Sequence, residues 1–292
     1  SRISLSNNDG NTSNTVFGKN AFEPTSDGDI GADYNTVFGE LAMGTGNLAA
    51  ALNNVAVGYN ALTDITSGDE NIAIGSNSGS SLADGIRNLY IGHWAGSTDI
   101  TGQSNIALGN DSGKGLNGGV GNIAIGSYDG TTDAPLRYAA AIDYNIGIGT
   151  GALAAARENE QMNVAIGYKA MFAMDEGDSA HVDHNIAIGT QALLGADHLA
   201  LSTNVQYCVA IGAYALDATD TNAQLGTIAI GASALTALTT GAGNIAIGYQ
   251  AGLQNTTGIK NIAIGYNAMA GTGVGSASLG SSNNIFLGYT AG

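Results

Sequence analysis

Asn244-Ile245-Ala246-Ile247-Gly248-Tyr249-Gln250-Ala251-Gly252 returns seventeen residues later as Asn261-Ile262-Ala263-Ile264-Gly265-Tyr266-Asn267-Ala268-Met269. The same opening stands at Asn71-Ile72-Ala73-Ile74-Gly75, Asn105-Ile106-Ala107-Leu108-Gly109, Asn122-Ile123-Ala124-Ile125-Gly126 and Asn185-Ile186-Ala187-Ile188-Gly189. Aligning on the glycine extends the pattern to fifteen copies, at Gly18, Gly39, Gly58, Gly75, Gly92, Gly109, Gly126, Gly149, Gly167, Gly189, Gly212, Gly231, Gly248, Gly265 and Gly288. The shortest spacing is 17 residues and the longest 23, so the unit tolerates insertions of up to six. A fixed short period is the signature of a stacked repeat architecture.

Apolar residues at the second and fourth positions alternate with the period of a strand that has one face buried. A strand this short cannot stand alone, but coils stacked about 4.8 Å apart let each one bond to its equivalents above and below. The expected fold is all-β: a parallel β-solenoid or β-roll of about fifteen coils, on the order of 70 Å long, with the Ile columns turned inward as its core. Glycine at the fifth position ends each strand, through a positive φ or because a neighbouring backbone leaves no room for Cβ. Asn opens thirteen units and predicts a ladder of stacked amides; Cys208 and Thr227 take its place in the other two. Cys208 therefore reads as a structural residue. The third position, Ala in most copies, should point away from the Ile face; a small apolar residue there implies either a flattened coil with two interior layers or a face covered by another copy of the chain, and the second is preferred because a thin solenoid of small side chains buries little area alone. Residues 1–13 read as a lead-in and 14–292 as one solenoid domain. Insertions fall near 128–144, 171–184, 193–207 and 270–283.

Composition narrows the functional classes. The 292 residues carry 24 acidic and 8 scattered basic side chains, a formal charge of −16, which argues against nucleic acid or an anionic membrane surface as partner. A single cysteine excludes an intrachain disulfide, and no apolar run is long enough to insert in a membrane. Gly numbers 45, well above average use, but a 44% hydrophobic content argues against disorder. Residues 1–6 lack the apolar core of a signal peptide. The chain starts without Met and stops inside a unit at Gly292, and so reads as a segment of something longer.

Candidate chemistry lies in the insertions, since solenoid loops often carry binding surfaces. His181, His184 and His198 stand near Asp175, Glu176, Asp178, Asp183 and Asp197, the one ligand-like cluster in the sequence; a solvated acidic loop is the plainer reading, and no metal or other cofactor is assigned. No Gly-Gly-x-Gly-x-Asp series is present, which argues against a calcium-wound roll; Gly109-Asn110-Asp111 is a lone fragment. Asp129, Asp133, Asp143, Asp175 and Glu176 are the acids a glycan-cleaving site would draw on, but no pair stands out from ordinary surface charge. With no nucleophile, zincin or phosphate-loop motif either, no enzyme is expected. No regular Thr column suggests ice binding. Tyr59, Tyr168, Tyr249, Tyr266 and Tyr289 follow the repeat glycine directly, and Trp94, Tyr128 and Tyr214 come one residue later. These rings suit packing at a turn, with Trp94, Tyr128, Tyr168, Tyr249 and Tyr266 as candidates for a surface that binds.

The Asn-Ile-Ala-Ile-Gly-x-x-Ala units resemble two groups of extracellular trimeric fibres. Asn261 to Met269 and Asn284 to Gly292 are similar to the repeat region of bacteriophage tail fibres; Asn163-Val164-Ala165-Ile166-Gly167 is similar to coils in the head of trimeric autotransporter adhesins. The likeness runs from about Asn14 to Gly292. It implies a parallel β-roll of three chains side by side, with the small third-position residues near the shared interface. Adhesin coils are tighter than 17 residues, and the Gly-Tyr-x-Ala continuation also favours the tail-fibre group. The expectation is a homotrimeric virion fibre, extracellular, that meets a host surface glycan or protein and other fibre or baseplate proteins. A bacterial surface adhesin head and a tailspike glycan depolymerase are the alternatives.

Overall fold

A computed structural model describes residues 13–22, 31–45, 48, 50–138, 141–156, 160–173, 175–176, 181–195, 197–198, 204–219, 224–271 and 280–292. Among them there is no helix, and the chain is a parallel β-solenoid. It falls into two units, Ser1–Tyr144 and Asn145–Gly292. In the first, one strand per coil stacks in sequence order: β1 (Thr15–Phe17), β2 (Thr36–Phe38), β3 (Val55–Val57), β4 (Ile72–Ile74), β5 (Leu89–Ile91), β6 (Ile106–Leu108) and β7 (Ile123–Ile125). Each spans three residues, shorter than the repeat suggests, because the glycine that follows leaves the extended region.

The second unit repeats the ladder with β8 (Ile146–Ile148), β9 (Val164–Ile166), β12 (Ile186–Ile188), β15 (Val209–Ile211), β17 (Ile228–Ile230), β18 (Ile245–Ile247), β19 (Ile262–Ile264) and β20 (Ile285–Leu287). Two-residue strands supplement it: β10 (Asp175–Glu176) pairs with β13 (Asp197–His198), and β11 (Val182–Asp183), β14 (Val205–Gln206) and β16 (Gln224–Leu225) form a narrow second sheet. Register matches repeat position to repeat position, so Val55, Ile72 and Leu89 stack in one column and Ala56, Ala73 and Tyr90 in the next.

The faces are the reverse of the expectation. Ala56, Ala73, Ala107, Ala124, Ala165 and Ala246 are fully buried, while the isoleucines that flank them are partly exposed, Ile72, Ile74, Ile91 and Ile264 each at 38%. The third position is therefore the interior, and the second and fourth form the outer face. The physical reason is coil thickness. Leu62, Leu153, Met171, Leu193, Leu216 and Leu235, four residues after the glycine, cross the interior from the opposite turn and are buried, as are Ile65, Leu82 and Leu116 three residues further on in their own coils. With those side chains filling the space, little more than a methyl group fits beneath most of the strands. The expectation that third-position residues approach a shared interface fails with it.

Asn shares the inward parity of Ala, and the amide ladder forms. Asn71 donates from Nδ2 to Asn54 Oδ1 at 3.1 Å and to Gly85 O at 2.8 Å, while its backbone N–H donates to the same Asn54 oxygen at 2.9 Å. The arrangement links Asn14 to Asn35, Asn54, Asn71 and Asn88, and recurs between Asn145, Asn163 and Asn185 and between Asn244, Asn261 and Asn284. Cys208 fills the slot with its N–H on Asn185 Oδ1 at 2.9 Å, and burial pushes the pKa of its thiol up to about 11. Thr227 fills the next with its hydroxyl on Gly241 O at 3.2 Å. Such buried amides are fully paired and fix the register of successive coils.

Both reasons expected for the repeat glycine hold. Gly75 has φ +134°, and a Cβ there would lie 2.5 Å from the carbonyl oxygen of Gly92 in the next coil. The turns add further left-handed residues two and four positions on, such as Asn60 and Leu62, whose N–H groups reach adjacent coils: Asn60 donates to Glu40 O and Leu62 to Ser78 O, each at 3.1 Å. Hydrogen bonding therefore continues between coils around the turns as well as along the strands.

Candidate functional surface

The sequence candidates separate by place. On the outer face of the strands, positions two and four make a pair of aliphatic columns. Ten aliphatic side chains on β3 to β7, with Phe17 and Phe38 continuing the fourth-position column on β1 and β2, are partly exposed; at up to roughly 60 Å² each they exceed the few hundred Å² that a monomer ordinarily leaves in one apolar patch. Residues just before the Asn border one side of this face, with Tyr34, Tyr144 and Tyr207 exposed. Residues just after the glycine border the other.

In the second unit that border holds Tyr249, Tyr266 and Tyr289. The rings stack on one another, with centroids 5.2 and 5.3 Å apart and planes inclined by 26° and 13°. The middle ring thus spends its faces on its neighbours and presents mainly edge and hydroxyl to solvent, which favours packing along the column over stacking on a ligand. Tyr168 is separate: Lys169 Nζ lies 5.5 Å from its ring centroid and 4.9 Å from that of Phe172.

Trp94 and Tyr128 are brought into one cluster on the turn side of the first unit, through residues that the sequence did not single out. Lys114 Nζ sits 4.6 Å over the Trp94 ring and 3.5 Å from Asp111 Oδ1. Arg137 lies 4.6 Å over Tyr128 and 5.4 Å over Tyr138, 3.7 Å from Asp111 and 2.7 Å from Asp133. The Tyr138 hydroxyl donates to Asp133 at 3.3 Å. This framework ties the 128–138 part of the first insertion onto the coils beneath. Residue spacing held only half of its signal, because Lys114 and Arg137 sit at no fixed repeat position.

Three of the five acids considered for glycan cleavage, Asp129, Asp133 and Asp143, have other occupations. Asp129 accepts from the N–H groups of Thr132 and Thr131, which hold its carboxyl below the usual range; Asp133 pairs with Arg137, and Asp143 accepts from Val120 N–H at 2.9 Å. Asp175 pairs in Cα register with Asp197 and Glu176 with His198; their side chains lie outside the described residues, as does Asp178. His181 is exposed and 3.6 Å from Asp183, and His184 stacks on Tyr207 at 5.1 Å. Among the described residues no three His, Cys, Asp or Glu side chains gather as a metal would require. Much of the 171–184, 193–207 and 270–283 insertions, and residues 1–12 of the lead-in, also lie outside. No described helix is long and apolar enough to cross a membrane.

No protein-family model, curated protein or solved structure matches the chain.

Proposed function

We propose that the chain is a structural and attachment protein of an extracellular fibre, most simply the tail fibre of a phage or phage-like injection machine that contacts the host cell surface. The observation that carries the reading is the pair of aliphatic columns on the outer strand face. A second copy of the chain carries the same columns at the same spacing, so identical faces can mesh along their whole length, whereas an unrelated globular partner would match only locally. On this reading each of the fifteen Asn-to-Gly units contributes one coil, three chains share the Ile faces, and the small residues stay inside each chain. The lateral turns and insertions remain free to meet a host glycan or protein, and other fibre or baseplate proteins join beyond the shared faces.

The role is binding without turnover. The acids that a depolymerase would recruit are engaged in turn geometry or ion pairs at Asp129, Asp133 and Asp143, which supports attachment over cleavage. The test is adsorption: fluorescently labelled protein is mixed with a panel of bacterial strains and isolated envelopes. Saturable binding to particular strains, with no reducing ends released, is expected. Binding to none, or release of reducing ends from envelope polysaccharide, would contradict the reading.

A further inference from the structure

We infer that the Trp94–Tyr128–Tyr138 cluster is a binding site for a neutral oligosaccharide, a deeper statement of the attachment reading above and resting on it. The cluster lies on the turns that follow β5, β6 and β7, away from the strand face assigned to self-association, so both surfaces can be used at once. It contains the chain's one tryptophan and two of its eight basic residues.

Three features argue for a sugar. Trp94 and Tyr138 keep 37% and 53% of their surface exposed, offering rigid rings that lose little entropy on contact and whose faces suit the C–H surface of a pyranose. Asp133 and Arg137, paired at 2.7 Å and each only partly exposed, place an acceptor and a fork of donors beside the Tyr138 ring, the complement that vicinal hydroxyls need. Asp111, Lys114, Asp133 and Arg137 together balance in charge, on a chain whose formal charge is −16, so a neutral ligand is favoured over an anionic one. The groups are also held before any ligand arrives. Lys114 lies over Trp94, which the His93 ring also meets edge-on at 5.6 Å, Arg137 lies over Tyr138, and the largely buried Asp111 carboxylate ties both cations to the coil. A handful of exposed side chains falls far short of the ~800 Å² per partner of a stable protein interface, which favours a small ligand.

Since no other tryptophan contributes, its emission reports on this site alone. Maltohexaose, cellohexaose and chitohexaose are titrated into the full chain, with a heparin-derived hexasaccharide as the anionic counterpart. A saturable emission change with at least one neutral probe is expected. It should weaken about tenfold or more in Tyr138→Ala at unchanged melting temperature, and persist in Tyr138→Phe. Silence with every neutral probe, a response to the anionic probe alone, or an unweakened response in Tyr138→Ala overturns the inference. The two readings fail separately. Strain adsorption with a silent Trp94 removes this site and leaves attachment standing, while a responsive Trp94 without adsorption to any strain does the reverse.

Discussion

Tyr90 stands at the third position of its unit, where neighbouring coils carry Ala73 and Ala107, and it is fully buried. Room is made from two sides: a Cβ at Gly96 would lie 2.5 Å from the ring and one at Gly79 3.1 Å, and these glycines replace the Leu or Met of other coils. Its hydroxyl donates to Asp99, which takes the place of Leu82 and Leu116 in adjacent coils and also accepts from Gly102 N at 2.7 Å and Gly118 N at 3.2 Å. Burial raises the Asp99 carboxyl, against those hydrogen bonds. Tyr90→Phe removes one partner from a buried acceptor and should cost about 2 kcal/mol. In Asp99→Leu, which restores the apolar residue of the adjacent coils, the same exchange should cost far less, and denaturant unfolding of the four proteins measures that coupling. Asp217 offers a pH test. Burial pushes its carboxyl up to about 6, and its Oδ1 finds no hydrogen-bond partner among the described residues. The folded value lies above the unfolded value of about 3.9, so this residue's contribution is intact below pH 4 and is lost as pH rises through 6. Asp217→Asn should therefore raise the melting temperature at pH 7.5 and change it little at pH 4; equal effects at both would contradict the assignment.

For the strand, the repeat makes the ladder, its parallel register, the glycine turn and the amide stack legible without any coordinate. Which face lies inside is not legible in the same way, because alternation fixes two faces without saying which one is covered. The deciding signal is the shared parity of Asn71, Ala73 and Gly75. A stacked amide ladder contributes most when shielded from water, so the parity that carries Asn belongs inside, and Ala goes in with it. The side chains that fill the rest of the interior, Leu62, Met171, Leu193 and Leu235, come from turn positions with positive φ, where aliphatic residues are rare in ordinary folds and which simple periodicity does not mark. The Trp94 surface is legible only in its rings. Lys114, Arg137 and Asp133 reach it from a turn and an insertion, where no repeat position announces them.

For the molecule as a whole, the inverted faces move the proposed self-association from the alanines to the Ile columns. Interior alanines give each chain a modest core, and the larger aliphatic side chains are left half in water. Burying the exposed remainder of each isoleucine is worth roughly 1.5 kcal/mol, so a face shared along successive coils contributes substantially even after the cost of association. Sedimentation equilibrium probes this most directly. A species at three times the 29.1 kDa chain mass is expected, converted to smaller species when Ile74, Ile91 and Leu108, which stack in one outer column, are replaced together by Lys, with far-UV circular dichroism retained. A folded wild-type chain that sediments at 29.1 kDa across the accessible concentration range would refute assembly through the Ile faces.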